Sequence, residues 1–279
     1  MRFLICGTLA ACLCAGAALS APSVERGAYL VQGPAGCGSC HTPFGAEGFD
    51  VSKDLSGRLV DANPAFTAIA ANITPASRIL SWSDAELARA IREGIRPDGS
   101  LIGPPMPFAM YRGLGDDDLM SIVMYLRTVP PVENDPGASR YHINLPPAYG
   151  PPVSHVTAPQ AGPTAEYGAY LASAVTHCME CHTPMGPRGP MIDTDAGRGG
   201  FEFHGPWGTS VASNLTSSAD GLASYSDEEI KVMVTKGMRP DGSHMLPPMP
   251  YGYFARMSSD DLTAVVAYLR TLPALSDMD

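Results

Sequence analysis

Two stretches far apart in the chain carry the same apolar stripe. Leu119, Ile122, Val123 and Leu126 in 116–130, and Leu262, Val265, Val266 and Leu269 in 259–273, follow i, i+3, i+4, i+7 spacing, which predicts a helix with one buried face in each. The run "SWSDAELARAIREGI" predicts another helix, capped by Ser83 or Asp84, with Glu86 in the first turn, Leu87, Ala90 and Ile91 on one face and Gly94 as the stop. Its counterpart "YSDEEIKVMVTKGM" has Ser226 as cap and Gly237 as stop, and "ERGAYLV" predicts a short helix ahead of a cysteine motif. No run of any length alternates apolar and polar residues as a half-buried strand does, so the expected fold class is all-α, with long irregular connections.

These pairs belong to one long internal repeat. "ERGAYL" at 25–30 matches "EYGAYL" at 166–171, "CGSCHTP" at 37–43 matches "CMECHTP" at 178–184, and "ANIT" at 71–74 answers "SNLT" at 213–216. "GIRPDGS" at 94–100 matches "GMRPDGS" at 237–243, "PPMPF" at 104–108 matches "PPMPY" at 247–251, and "DDDLMSIVMYLRTVP" matches "SDDLTAVVAYLRTLP". The offset grows only from 141 to 143 residues, so the reading is one domain duplicated, over 22–133 and 164–279. Residues 134–163 between them are too rich in proline for a helix or a central strand and read as a stiff, extended linker.

The N-terminus changes the compartment. "MRFLICGTLAACLCAGAALS" has one arginine, an apolar run and then small residues, the pattern of a secretory signal peptide over 1–21, which makes the expected location periplasmic. "LAAC" ending at Cys12 leaves a lipid-attached form as the alternative. No later apolar stretch is long enough to span a membrane. Residues 22–140 carry 10 basic and 14 acidic side chains, and 141–279 carry 7 and 14, which argues against a nucleic-acid partner.

Removing the leader takes Cys6, Cys12 and Cys14 and leaves Cys37, Cys40, Cys178 and Cys181, all inside the repeated phrase. C-x-x-C-H is the attachment sequence of c-type haem: two thiols three residues apart on one turn each form a thioether to a porphyrin vinyl group, and the next imidazole stands under the iron. His41 and His182 are therefore the expected proximal ligands of two covalently bound haem c groups. Zinc would need two further ligands per site, and a thioredoxin-type pair needs no following histidine. The Thr-Pro after each histidine either leaves a free carbonyl to orient the imidazole or is a simple turn.

The sixth position of iron separates carrier from catalyst. Met106 and Met249, each between prolines at equivalent places, are the expected distal ligands; packing is the other use of a methionine, and this sequence has 14. Met110, Met245, His204 and His244 have no matching partner in the other repeat. Trp82 with Tyr225, Tyr111 with Phe254 and Tyr125 with Tyr268 are expected pocket walls. Arg96 and Arg239 are either propionate partners or parts of a solvated turn.

Taken together, C-x-x-C-H-T-P, "NIT", a helix ending "GIRPDG", "PPMP" and the final "YLRTVP" helix resemble the class I cytochrome c domains of bacterial multihaem subunits. More narrowly, the chain is similar to cytochrome subunits that serve periplasmic alcohol, gluconate and molybdenum-dependent aldehyde dehydrogenases. The resemblance implies two tandem class I domains, each wrapped round one haem, with Cys37, Cys40, His41 and Met106, and Cys178, Cys181, His182 and Met249, as attachment and axial residues. It implies electron transfer from a dehydrogenase to a cytochrome or terminal oxidase rather than catalysis. Such subunits commonly carry three haem domains and an anchoring tail, and this chain has two and ends in "LSDMD", so quinone reduction at the membrane is not expected. The competing reading is a dihaem enzyme with one labile axial ligand, a peroxidase or a thiosulfate oxidiser.

Overall fold

The computed structural model describes residues 21–187, 189–205 and 207–278; residues 1–20 of the expected signal peptide, with Cys6, Cys12 and Cys14, lie outside them. The first repeat runs through α1 (Val24–Gln32), α2 (Gly38–His41), the hairpin β1 (Phe44–Gly45) and β2 (Gly48–Phe49), the hairpin β3 (Arg58–Ala62) and β4 (Phe66–Ala70), then α3 (Asp84–Glu93), α4 (Phe108–Tyr111) and α5 (Asp116–Thr128). Strand β5 (Arg140–Tyr141) follows. The second repeat runs through α6 (Ala165–Tyr170), a π-helical turn over Leu171–Val175, α7 (Cys178–Cys181), the hairpin β6 (Met185–Gly186) and β7 (Gly189–Pro190), and α8 (Ile192–Asp195). It closes with the hairpin β8 (Glu202–Gly205) and β9 (Gly208–Val211), then α9 (Asp227–Lys236), α10 (Tyr251–Phe254) and α11 (Ser259–Leu269).

The all-α expectation is corrected here. The protein is 36% helix and 12% strand, the strands forming several small antiparallel sheets, so the fold is mixed α/β. These strands have two to five residues, too short to write a period-two signature, and β3 is exposed or half-buried along its length. Hydrogen bonding in tight hairpins, rather than burial of one face, defines them.

The helices form where local chemistry dictates. Ser83 caps α3 and Ser226 caps α9, each in a capping box with the glutamate three residues on, and Gly94 and Gly237 end them at φ 70° and 61°. Glycine in "GAYL" has a different purpose. A Cβ on Gly27 would lie 1.9 Å from the Ser121 carbonyl oxygen, and one on Gly168 would lie 1.8 Å from that of Ala264. Backbone contact therefore sets α1 against α5 and α6 against α11. The repeated "YLRT" arginine ties each repeat shut: Arg127 donates to the carbonyls of Ile79 and Trp82, and Arg270 to those of Leu222 and Tyr225.

One apolar cluster runs through both repeats, from Leu30, Val31 and Val123 to Leu171, Val175 and Val265. The helices α1, α5, α6 and α11 meet in its middle. The proline-rich segment between the repeats is packed against the first one, where β5 pairs with β4 in register Phe66 to Tyr141 and Thr67 to Arg140.

Candidate functional site

Each C-x-x-C-H phrase forms a single helical turn, which sets its two cysteines on one side with the histidine at the end. The following threonine is a structural anchor. Thr42 Oγ1 accepts the Leu55 N–H at 3.0 Å and Thr183 Oγ1 accepts that of Gly197 at 3.2 Å, with both threonines buried. Leu55 and Gly197, repeat equivalents at the same 142-residue offset as "ANIT" and "SNLT", both take positive φ, 60° and 77°.

The two histidines are oriented identically. His41 Nδ1 donates to the Ala71 carbonyl and His182 Nδ1 to the Ser213 carbonyl, each at 2.7 Å. A carbonyl only accepts, so Nδ1 carries the proton and Nε2 keeps its lone pair for a metal. Burial pushes both imidazoles below the ordinary histidine range, which keeps them neutral. The orienting carbonyl is not the one beside Thr-Pro; it lies just before the asparagine of "ANIT" and "SNLT".

That asparagine explains the repeated phrase. Asn72 accepts from both the backbone and the hydroxyl of Thr74 and donates to the Val132 carbonyl at 2.8 Å. Asn214 makes the same bonds with Thr216 and the Leu275 carbonyl. A buried amide thus locks the loop whose preceding carbonyl holds the histidine.

In the second repeat a cavity of about 260 Å³ is lined by Cys178, His182, Leu222, Ile230, Met249 and Phe254. An adjoining void adds Cys181 and Val211. Both attachment cysteines, the histidine and the methionine therefore border one space with apolar walls, and the donor set suits a flat macrocycle bonded by thioethers and an iron held between nitrogen and sulfur. Tyr225, Phe254 and Arg239 also line it, whereas His204 is exposed and bonds Thr209. In the first repeat Cys37 and Met106 pack on the core, and Tyr111 is buried. Arg96 is spent on its own turn, donating to Ser100 Oγ and the Leu101 carbonyl. The Pro104–Pro105 and Pro247–Pro248 peptide bonds beside the two methionines are both cis.

The second cysteine motif also lies beside the first repeat. Burial pushes the Cys181 thiol up to about 12, with the charges of Glu180, Cys178 and Cys40 acting in the same direction. Burial likewise lifts Tyr111, helped by Cys37, Cys40 and Glu180, and its ring meets His177 edge-on at 5.9 Å. From the other side Tyr253 lies over Gly38, where a Cβ would stand 2.2 Å from its hydroxyl oxygen. Among the described residues no cluster of three or more histidine, cysteine and acidic side chains is placed to hold a separate metal ion.

Residues 165–273 match the family described as Cytochrome c. The chain is 28% identical to the "Alcohol dehydrogenase (quinone), cytochrome c subunit" of Gluconobacter oxydans, over 91% of this chain and 55% of that protein. It is 27% identical to the "Gluconate 2-dehydrogenase cytochrome c subunit" of Pantoea cypripedii, over 97% and 64%. It is 28% identical to a "Diheme cytochrome c-type" protein of Cereibacter sphaeroides, over 86% and 83%. The chain spans about half the length of the alcohol and fructose dehydrogenase subunits that it matches.

Proposed function

We propose, from the premise that residues 165–273 are a cytochrome c domain and that the first repeat shares its motifs, that the whole chain is a periplasmic electron-transfer protein with two haem c groups. The domains are 22–133 and 164–279, joined by 134–163. Covalent haem c is the cofactor of a cytochrome c domain and supplies the one-electron couple.

The residues of this chain have separable tasks. Cys37, Cys40, Cys178 and Cys181 attach the macrocycles. His41 and His182, held by the carbonyls of Ala71 and Ser213, would ligate the irons together with Met106 and Met249. The observation that carries the reading is the convergence of Cys178, His182 and Met249 on one apolar cavity, with Nδ1 of the histidine already committed to a carbonyl. The edge-on contact of Tyr111 with His177, next to Cys178, supports electron exchange between the two groups across the interface of the repeats.

The relatives named as dehydrogenase cytochrome subunits support a dehydrogenase as electron donor, and a second cytochrome or a terminal oxidase is the acceptor. Among the described residues no helix is long and apolar enough to cross a membrane. The deciding measurement is a count of covalent haem per purified chain together with a reductive titration. Two haems taking up two electrons per chain is the expected result, and one haem or none sinks the proposal.

The solvent-facing surroundings of Met249 favour one second reading, a dihaem peroxidase with an open iron. Turnover with hydrogen peroxide and a reduced cytochrome as co-substrate distinguishes it from the carrier.

A further inference from the structure

His177 stands immediately before Cys178 and takes φ 46°, in the left-handed region, as its repeat equivalent Gly36 does at φ 54°. Glycine adopts that conformation freely and a residue with a side chain does not, so the second repeat keeps an imidazole where the backbone favours glycine. The imidazole has one distinctive neighbour. Its ring meets that of Tyr111, from the first repeat, with the planes at 84°.

Each ring also belongs to a haem site. His177 lines the void that it shares with Cys178, Cys181 and His182. Tyr111 closes α4, whose first residue, Phe108, donates its N–H to the Met106 carbonyl at 2.9 Å. Its repeat equivalent, Phe254, borders the cavity of Cys178, His182 and Met249, which makes Tyr111 the matching wall of the first site. The backbones on either side approach closely: a Cβ on Gly113, two residues past Tyr111, would stand 3.2 Å from the Cβ of Ala174 in the π-helical turn. A second ring pair, Phe49 with Tyr253, also crosses between the repeats, with centroids 5.8 Å apart. Tyr253 lies over the first attachment turn and does not line the second cavity, so that pair touches one site and not both.

The structure assigns electron exchange between the two haem sites to the ring pair Tyr111 and His177. The inference rests on the two-haem reading above and names the side chains that carry its internal step. Tunnelling weakens more steeply across an unfilled gap than across packed atoms, so the rings that fill the space between two sites set the rate between them. One ferrous iron becomes ferric as one ferric iron becomes ferrous; neither ring is oxidised or reduced, and no proton or bond changes place.

The test is pulse reduction of the ferric two-haem protein with substoichiometric reductant, followed spectroscopically as the electron redistributes between the haems. Redistribution is expected as a first-order phase independent of protein concentration. His177→Gly, which places at 177 the residue that Gly36 already supplies, should slow that phase severalfold, with no fall in melting temperature and no movement of either midpoint potential. Tyr111→Leu slows it likewise, and Tyr111→Phe, which keeps the ring, restores most of what Tyr111→Leu loses. The double variant His177→Gly/Tyr111→Leu is no slower than the slower single variant, because both open the same gap. Phe49→Leu breaks the other ring pair and keeps the parent rate. An unchanged rate in His177→Gly, a slowing that follows a moved potential, or a parent without the concentration-independent phase overturns the bridge and leaves the two-haem reading intact. Fewer than two haems per chain overturns that reading and the bridge with it.

Discussion

Tyr29 donates a hydrogen bond to Asp261 at 2.6 Å, and Tyr170 donates one to Asp118 at 2.7 Å. Tyr29 and Tyr170 are repeat equivalents, as are Asp118 and Asp261, so each repeat sends its first-helix tyrosine to the acid of the other's last helix. The match extends to the acceptor side, where Tyr29 Oη accepts the Ser258 N–H at 3.0 Å and Tyr170 Oη that of Gly115 at 3.2 Å. Arg26 completes the set by pairing with both oxygens of Asp118 and donating to Tyr167, its own counterpart.

These bonds hold the repeats together, so removing the hydroxyls has a definite cost. Tyr170→Phe leaves Asp118 with one fewer donor and is expected to lower stability by about 1–2 kcal/mol, the range for a hydrogen bond to a charged group. Tyr29→Phe has the smaller effect, because that side chain is less buried. Because one core runs through both repeats, the loss should appear as a shift of a single thermal transition. Two separated transitions in the wild-type chain would show that the repeats unfold independently.

Alkaline pH tests the same contacts without mutation. Burial, reinforced by the bond to Asp261, pushes Tyr29 up to about 12, and burial raises Tyr170 as well, with Asp118 adding to it. A phenol whose folded pKa exceeds its unfolded value of about 10 binds its proton more tightly when folded, so its contribution is complete below pH 10 and is lost as pH rises through 12. Denaturant midpoints should therefore fall across that window, and the fall should be shallower in Tyr29→Phe/Tyr170→Phe. An unchanged slope in the double variant assigns the alkaline loss to other groups.

Gly27→Ala and Gly168→Ala place a methyl group against the carbonyl oxygens of Ser121 and Ala264. Each should cost about 1–3 kcal/mol through forced separation of the helix pair. Circular dichroism melts decide the point, and a variant as stable as the parent removes the close-contact account of "GAYL".

Asn72→Ala removes the amide that fixes the Ala71 carbonyl over His41. A stability loss of about 1–3 kcal/mol is expected from the groups left unpaired. A weakened carbonyl makes the imidazole a poorer donor to ferric iron, so the potential of the first haem should rise while the second stays where it is. Asn214→Ala reverses the assignment. Potentiometric titration reads both, and equal movement of the two potentials contradicts a local role for the asparagine.

The regular helices and the attachment phrases were legible because their signals are local: apolar spacing in α5 and α11, Ser-x-x-Glu at α3 and α9, and C-x-x-C-H. The hairpins were not, since β1 and β6 have two residues each and no periodicity to read. "ANIT" and "SNLT" were visible as a repeat, but their purpose depends on a carbonyl 30 residues from His41 and 31 from His182. Tyr141 and Tyr149 lie after the repeated stretch that ends at residue 130 and therefore carried no repeat signal. Composition marked the proline-rich segment as extended, and only the structure shows it pairing with β4.

A contact in which element i of one partner meets element j of the other, and j of the first meets i of the second, is how identical subunits associate about a two-fold axis. The tyrosine and aspartate exchange has that form within one polypeptide, so the chain carries the geometry of a homodimer whose subunits have been joined end to end. Joining them makes the pairing independent of protein concentration, and it also releases the two copies from having to stay alike. Gly36 and His177 mark where that freedom has been used: both turn the chain the same way, and one has no side chain where the other carries a ring to the opposite repeat.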